Sequence, residues 1–93
     1  MHATMRYYHG NTEIADQLAG REDEVKSVIS AVPGFKAYYL VRLDDATVTF
    51  TVCEDEAGAA ESTRVAGEWL RENLPDVAGD PPMVSSGTVK LSA

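Results

Sequence analysis

The sequence predicts an α+β domain in which the elements follow the order β-α-β-β-α-β. Two kinds of periodicity predict it: segments that alternate apolar and polar residues, and segments with the 3.6-residue repeat of an amphipathic helix. The clearest signal is residues 35–54, where two alternating runs flank Asp44 and Asp45. This pattern is typical of a β-hairpin with a two-residue loop.

The Asp44-Asp45 loop sets the register of the hairpin. It pairs Leu43 with Ala46, Val41 with Val48, Tyr39 with Phe50 and Ala37 with Val52. Because all four pairs are apolar and share one face, we expect that face to lie against the helices. The other face is mixed and carries Lys36, Tyr38, Leu40, Arg42, Thr47, Thr49, Thr51 and Cys53.

The first and last strands bracket the chain. His2–His9 alternates, and we expect Ala3, Met5 and Tyr7 to face the core. Residues 83–91 form the predicted last strand. The two prolines that precede it favour an edge position in the sheet.

Two segments have helical periodicity. The first, residues 13–32, begins after Asn11 and Thr12, either of which is a suitable cap, and ends at Pro33-Gly34. Gly20 and Arg21 disturb its apolar stripe, so we expect either a helix break that turns Arg21 outward or a buried arginine. The second begins near Glu54 or Asp55 and ends at Leu74-Pro75, and residues 75–82 are predicted as a loop.

This element order is the ferredoxin-like, or split βαβ, arrangement, with a four-stranded antiparallel sheet. Right-handed crossovers place both helices on one face of the sheet. The mixed face, which also carries Arg6 and Tyr8, is then left uncovered. Two copies packed sheet to sheet would hide it, so we expect a homodimer that closes a barrel.

Composition restricts the protein class. A chain of 93 residues predicts a single domain, residues 1–93, with a small core. Fifteen acidic and eight basic residues give a net charge of −7, which argues against nucleic-acid and membrane-surface partners. Cys53 is the only cysteine, and no signal peptide or membrane span is recognised, so a cytoplasmic location is expected.

The chain resembles the dimeric α+β barrel superfamily, and within it the antibiotic-biosynthesis monooxygenase-like domains. The resemblance is carried by Pro33-Gly34-Phe35 before Tyr38-Tyr39, by residues 47–52 before the acidic residues 54–56, and by residues 66–74 with Trp69. It implies a cofactor-independent oxygenase or related enzyme acting on a small aromatic or ketone-bearing metabolite. The haem-degrading branch matches poorly, because strand one has no Asn and residues 57–74 contain no His.

Five residues are candidates for a site between sheet and helices. His9 is the candidate for proton transfer, since histidine titrates near neutral pH. The candidates for ligand binding are Tyr7, Tyr39, Trp69 and Arg21. Each also has a structural interpretation: a hydrogen-bonded strand end for His9, core packing for the aromatic residues and exposure for Arg21. No metal-ligand pattern or phosphate loop is present, and we predict no cofactor.

Two functions therefore remain open from the sequence. One is an enzyme with a ligand pocket in each subunit, and the other is a non-catalytic ligand-binding or structural homodimer. An open cavity lined by convergent polar groups would favour the enzyme. A gap filled by Trp69, Tyr7 and Tyr39 would remove the enzyme interpretation.

Overall fold

The computed structural model describes all residues, 1–93, and confirms the ferredoxin-like fold. The sheet has the order β2-β3-β1-β4 with antiparallel neighbours. Its strands are β1 His2–His9, β2 Phe35–Arg42, β3 Ala46–Cys53 and β4 Met83–Thr88. The helices are α1 Glu13–Ala19, α2 Glu22–Ser30, α3 Glu56–Asn73 and α4 Pro75–Ala78.

The predicted hairpin register is confirmed. Val41 lies opposite Val48, Tyr39 opposite Phe50 and Ala37 opposite Val52. The Leu43 N–H donates to the Ala46 carbonyl at 2.9 Å, which closes the two-residue loop. β4 is an edge strand as expected, but it ends at Thr88 rather than Leu91.

The first predicted helix is broken where Gly20 and Arg21 disturb its stripe. α1 ends at Ala19, and α2 begins at Glu22 after an Arg21 backbone with φ −122° and ψ 41°. Because the chain turns here, the Arg21 side chain leaves the apolar stripe and is 38% exposed. The outward-turned alternative is the one found. At the other end, the Ile14 N–H donates to Asn11 Oδ1 at 3.2 Å, so Asn11 satisfies an orphan donor of α1.

α3 begins at the predicted acidic cap. The Asp55 carboxylate accepts a hydrogen bond from the Gly58 N–H at 2.9 Å. A Cβ at Gly58 would lie 2.6 Å from the Pro33 carbonyl, so only glycine lets α3 pack this closely on the preceding turn. Pro75 ends α3 and begins the short helix α4, which was predicted as loop; proline is favoured at a first helical position. None of the helices has the length and apolar character needed to cross a bilayer.

The helices cover the opposite face of the sheet from the one expected. Thr4, Arg6 and Tyr8 of β1 are buried beneath them, with Thr47, Thr49 and Thr51 of β3. The covered face is stabilised by its hydroxyls as well as by apolar contacts. Thr47 Oγ1 accepts from the Ala15 N–H at 3.1 Å and donates to the Asn11 carbonyl at 2.7 Å.

The uncovered face is the apolar one. Strand register places Tyr39, Phe50 and Met5 in one row and Val41, Val48, Tyr7 and Met83 in the next. Tyr39 is 62% exposed and Met83 is 69% exposed. Four of the residues expected to form half of the core are therefore exposed (Tyr39, Val41, Leu43 and Phe50), whereas Ala46 and Val48 are buried.

The core between sheet and helices consists of two clusters. The larger one contains Tyr8, Ile14, Leu18, Leu70 and Leu74, with Trp69 packed against it. The smaller one contains Ile29, Val32 and Cys53. The space between these clusters and the sheet is where the candidate site lies.

Candidate functional site

The gap between the sheet and helices α1, α2 and α3 is the first candidate site. Its free volume is about 30 Å³, far below the roughly 300–1,000 Å³ of typical small-ligand sites. The sheet supplies Arg6, Tyr8, Tyr38 and Thr49, and the helices supply Leu18, Val25, Val28, Ile29, Ala66, Trp69 and Leu70. The gap is thus nearly filled by aromatic and aliphatic side chains, with a few polar groups on the sheet side.

Arg6 is the most unusual of these polar groups. It is 1% exposed and forms no salt bridge. Its guanidinium donates to Ser62 Oγ at 3.1 Å, Thr63 Oγ1 at 3.2 Å and Thr51 Oγ1 at 2.7 Å. All three acceptors are neutral, so the buried positive charge has no counterion, although such charges are normally paired.

Two polar atoms of the gap have no hydrogen-bond partner. They are Nε of Arg6 and Oγ1 of Thr49. The two residues lie directly opposite each other on neighbouring strands. Buried polar atoms are satisfied in most native structures, so this pair marks an unmet demand for a donor and an acceptor.

Two tyrosines face the same space. Burial raises the pKa of Tyr38 to about 12 and also raises the pKa of Tyr8, while the Arg6 charge opposes both shifts. Both phenols are therefore neutral at physiological pH. A neutral phenol donates a hydrogen bond and is a poor general base near pH 7.

A larger, half-open groove adjoins the gap. It has a free volume of about 310 Å³ and lies between α3, β4 and residues 78–82. Arg6, Tyr8 and Leu70 line both spaces, so Arg6 stands where the gap and the groove meet. On the far side of the groove, Arg71 lies over Gly67. Its Nη1 is 3.3 Å from the point where a Cβ would lie if residue 67 had a side chain.

Four of the five candidates taken from the sequence do not line the gap: Tyr7, Tyr39, His9 and Arg21. Tyr7 and Tyr39 are on the uncovered face, so the prediction that they line the space between sheet and helices is wrong. Their neighbours Tyr8 and Tyr38 line it instead. His9 is exposed at the end of β1, its ring 6.0 Å from that of Tyr7, and it does not line the gap.

Trp69 and Arg21 lie together at the helix side. Trp69 lines the gap and packs on the larger core cluster. The Arg21 guanidinium lies 5.9 Å from the centre of the Trp69 ring, within the range of a cation–π contact, and 3.8 Å from a Glu24 carboxylate oxygen. Arg21 is thus outside the gap and paired with an acid. Its role in ligand binding stays a prediction.

The cysteine and the acidic residues form neither a reactive thiolate site nor a metal-binding site. Cys53 is fully buried, and burial followed by the nearby Asp55 charge raises its pKa, which opposes thiolate formation. No group of three or more His, Cys, Asp and Glu side chains is arranged to hold a metal ion.

Sequence reasoning missed Arg6, Tyr8, Tyr38 and Thr49 as lining residues because it assigned the wrong face to the helices. A signal was nevertheless present. Arg6 is the only charged residue within the alternating part of β1, and Thr51, Ser62 and Thr63 supply hydroxyls on the facing elements. Hydroxyls that converge on one arginine indicate that it is buried rather than exposed.

Comparisons with known proteins support the fold. No protein-family model matches the chain, and no curated protein matches it. A monooxygenase from Streptomyces coelicolor, solved with the ligand nanaomycin D, is 20% identical with a TM-score of 0.66; the match covers 99% of this chain and 88% of that one. A protein from Nitrosomonas europaea assigned as an antibiotic biosynthesis monooxygenase is 14% identical with a TM-score of 0.71, covering 98% and 100%.

A third solved structure is described as a cofactor-independent oxygenase from Streptomyces nogalater. It is 14% identical with a TM-score of 0.59, and the match covers 98% of this chain and 95% of that one. At these identities the similarity establishes architecture, because one fold supports many chemistries. The resemblance noted from the sequence is confirmed at the level of fold: this chain has the same fold as solved structures described as antibiotic biosynthesis monooxygenases.

Proposed function

We propose that this protein is a homodimeric, cofactor-independent oxygenase or related enzyme that acts on a small aromatic or ketone-bearing metabolite. Its ligand would bind in the gap beneath the helices of each subunit. The observation that carries this proposal is the unpartnered pair formed by Arg6 Nε and Thr49 Oγ1 in an otherwise apolar space. A ligand oxygen would supply the missing hydrogen-bond partner.

The proposed chemistry uses a cation and neutral donors around a planar substrate. A phenolic ketone with an activated methylene group would enter as its delocalised anion, with its proton passed to solvent water, and one solvent proton would be taken up again when water leaves. Arg6 would stabilise that anion, and Tyr8 and Tyr38 would donate hydrogen bonds to its oxygens. The anion reduces dioxygen itself: one oxygen atom converts the CH2 group to a carbonyl, and the other leaves as water. The electrons come from the substrate, so no cofactor is required.

The homodimer is proposed from the uncovered face. Tyr39, Val41, Phe50 and Met83 are each at least 37% exposed there and lie in adjacent rows of the sheet. A contiguous apolar surface of this kind is characteristic of an interaction site. A twofold-related copy would present the same surface and bury both.

A second candidate is a non-catalytic ligand-binding homodimer. The observation that favours it is the gap volume of about 30 Å³, which is roughly a tenth of that of the smallest typical small-ligand pocket. Catalysis in the gap therefore requires the helices to separate from the sheet when the ligand enters. A protein that binds its ligand only in the open groove would need no such movement.

The two candidates are separated by ligand binding and oxygen uptake measured on the same samples. Trp69 is the only tryptophan, and it lines the gap, so its fluorescence reports occupancy. We expect hydroxylated aromatic ketones with an activated methylene group to quench it saturably. Oxygen uptake should equal the substrate consumed when metals are chelated. Saturable binding without oxygen uptake would support the second candidate, and absence of quenching would contradict ligand binding in the gap.

A paired substitution tests which tyrosine contacts the ligand. Tyr38→Phe should weaken binding by about tenfold, because it removes a hydrogen bond worth about 1.4 kcal/mol. The same change at Tyr39 should leave affinity within about twofold, since Tyr39 is on the uncovered face. Equal losses in both variants would contradict the proposed site.

A further inference from the structure

Two of the five arginines in this chain lack an acidic partner, and both line the groove beside α3. Arg21, Arg42 and Arg64 each pair with a carboxylate. Arg6 and Arg71 pair with none, although the chain has fifteen acidic residues. In a protein with a net charge of −7, two neighbouring unpaired guanidiniums form a local positive site.

The contacts within the groove leave both of these charges without a carboxylate partner. Arg6 forms part of its inner wall, where three neutral hydroxyls fix the guanidinium and leave its charge without a counterion. Arg71 lies on its outer side, above Gly67. Asp80 also lines the groove but forms no salt bridge with either arginine. The volume of about 310 Å³ lies within the range of small-ligand sites.

We propose that this groove binds the carboxylate of a small organic acid, held between Arg6 on the inner wall and Arg71 at the entrance. Planar guanidinium groups match the two oxygens of a carboxylate and bind it with charge-assisted hydrogen bonds. The ligand would provide the counterion that buried Arg6 lacks. Thr63 adds a hydroxyl, and Leu70 and Val84 add apolar surface for the rest of the ligand.

The groove and the gap share Arg6, Tyr8 and Leu70, so an acid held here has its organic part next to the proposed reaction site. The assignment thereby narrows the substrate class to metabolites that carry a carboxylate. This second step rests on the proposed function, whereas carboxylate binding is measured without turnover.

The test uses 2-naphthoate as the probe and its neutral methyl ester as the comparison. We expect 2-naphthoate to shift the arginine side-chain NMR signals of Arg6 and Arg71 and to bind at least tenfold more tightly than the ester. The affinity for 2-naphthoate should fall as salt is added, because the site is partly exposed. Equal binding of the ester, or inorganic phosphate binding as tightly as 2-naphthoate, would overturn the proposal.

Arg71→Gln is the informative variant because the residue is exposed and its loss leaves the core intact. It should weaken 2-naphthoate binding at least tenfold. Arg64→Gln is the matched control on the same helix, since Arg64 is already paired with Glu61 and Glu68. Equal effects of the two variants would overturn the proposal. Binding of 2-naphthoate, together with no oxygen uptake from any hydroxylated aromatic ketone that carries an activated methylene group, would leave this site standing and remove the oxygenase.

Discussion

The two faces of the sheet show that the buried face of a sheet need not be its more hydrophobic face. The face beneath the helices contains an arginine, four threonines and two tyrosines, and its polar groups bond mainly to one another and to the helices. The open face presents Tyr39, Val41, Phe50 and Met83. The buried face is thus the more polar one, and the exposed face is the more apolar one.

The largest effect is expected from a charge placed on the open face. Phe50→Asp should raise the dissociation constant of the homodimer at least about 100-fold, because an unpaired carboxylate would be buried between two sheets. Sedimentation velocity measures the change. Ala60→Asp on the exposed side of α3 is the control and should leave the dimer intact. A wild-type chain that is monomeric at all concentrations would contradict the proposed interface.

Two threonine-to-valine substitutions on β3 test what the hydroxyls of the covered face contribute to stability. Thr51→Val removes the acceptor that lies 2.7 Å from Arg6 Nη2 and should lower the free energy of unfolding by about 2 kcal/mol. Thr49→Val removes a hydroxyl that has no partner and should leave stability unchanged or slightly higher. Urea unfolding of both variants checks the difference. Equal losses of unfolding free energy in the two variants would mean that the hydrogen bond from Arg6 to Thr51 adds no stability.

A smaller effect is expected from the raised pKa of Tyr38. The unfolded tyrosine ionises near pH 10 and the folded one near pH 12, so the fold is fully stabilised below pH 10 and loses stability as pH rises from 10 to 12. The loss attributable to Tyr38 is about 2 kcal/mol. Tyr38→Phe should remove this part of the alkaline slope in urea titrations. An unchanged slope would show that Tyr38 ionises freely in the folded state.

The alternating residues and the Asp44-Asp45 loop were enough to predict the hairpin and its register, because a strand period of two admits few pairings. Gly20 and Arg21 were likewise enough to locate the helix break. The position of α4 was not predictable from a rule that treats Pro75 only as a helix stop. Local signals therefore determined the elements and most of their ends.

The choice of the covered face could not be made from the same signals. Both faces of the hairpin mix aromatic and β-branched residues, and alternation separates them without saying which one meets the helices. What distinguishes them is a contact between distant elements: Ser62 and Thr63 of α3 bond to Arg6 of β1. The candidate site depended on that contact, so Tyr8 and Tyr38 were missed while Trp69, on the helix, was found.

The break at Gly20 and Arg21 divides the first helical segment above the gap into α1 and α2, and the two helices are held to the rest of the fold by different contacts. α1 is fastened to its surroundings by polar bonds, through Thr47 to Ala15 and through Asn11 to Val77. The nine-residue α2 is seated mainly by Ile29, and its first turn has no side-chain cap. Leu18 of α1 lines the gap together with Val25, Val28 and Ile29 of α2, so the volume of the gap depends on the positions of both helices.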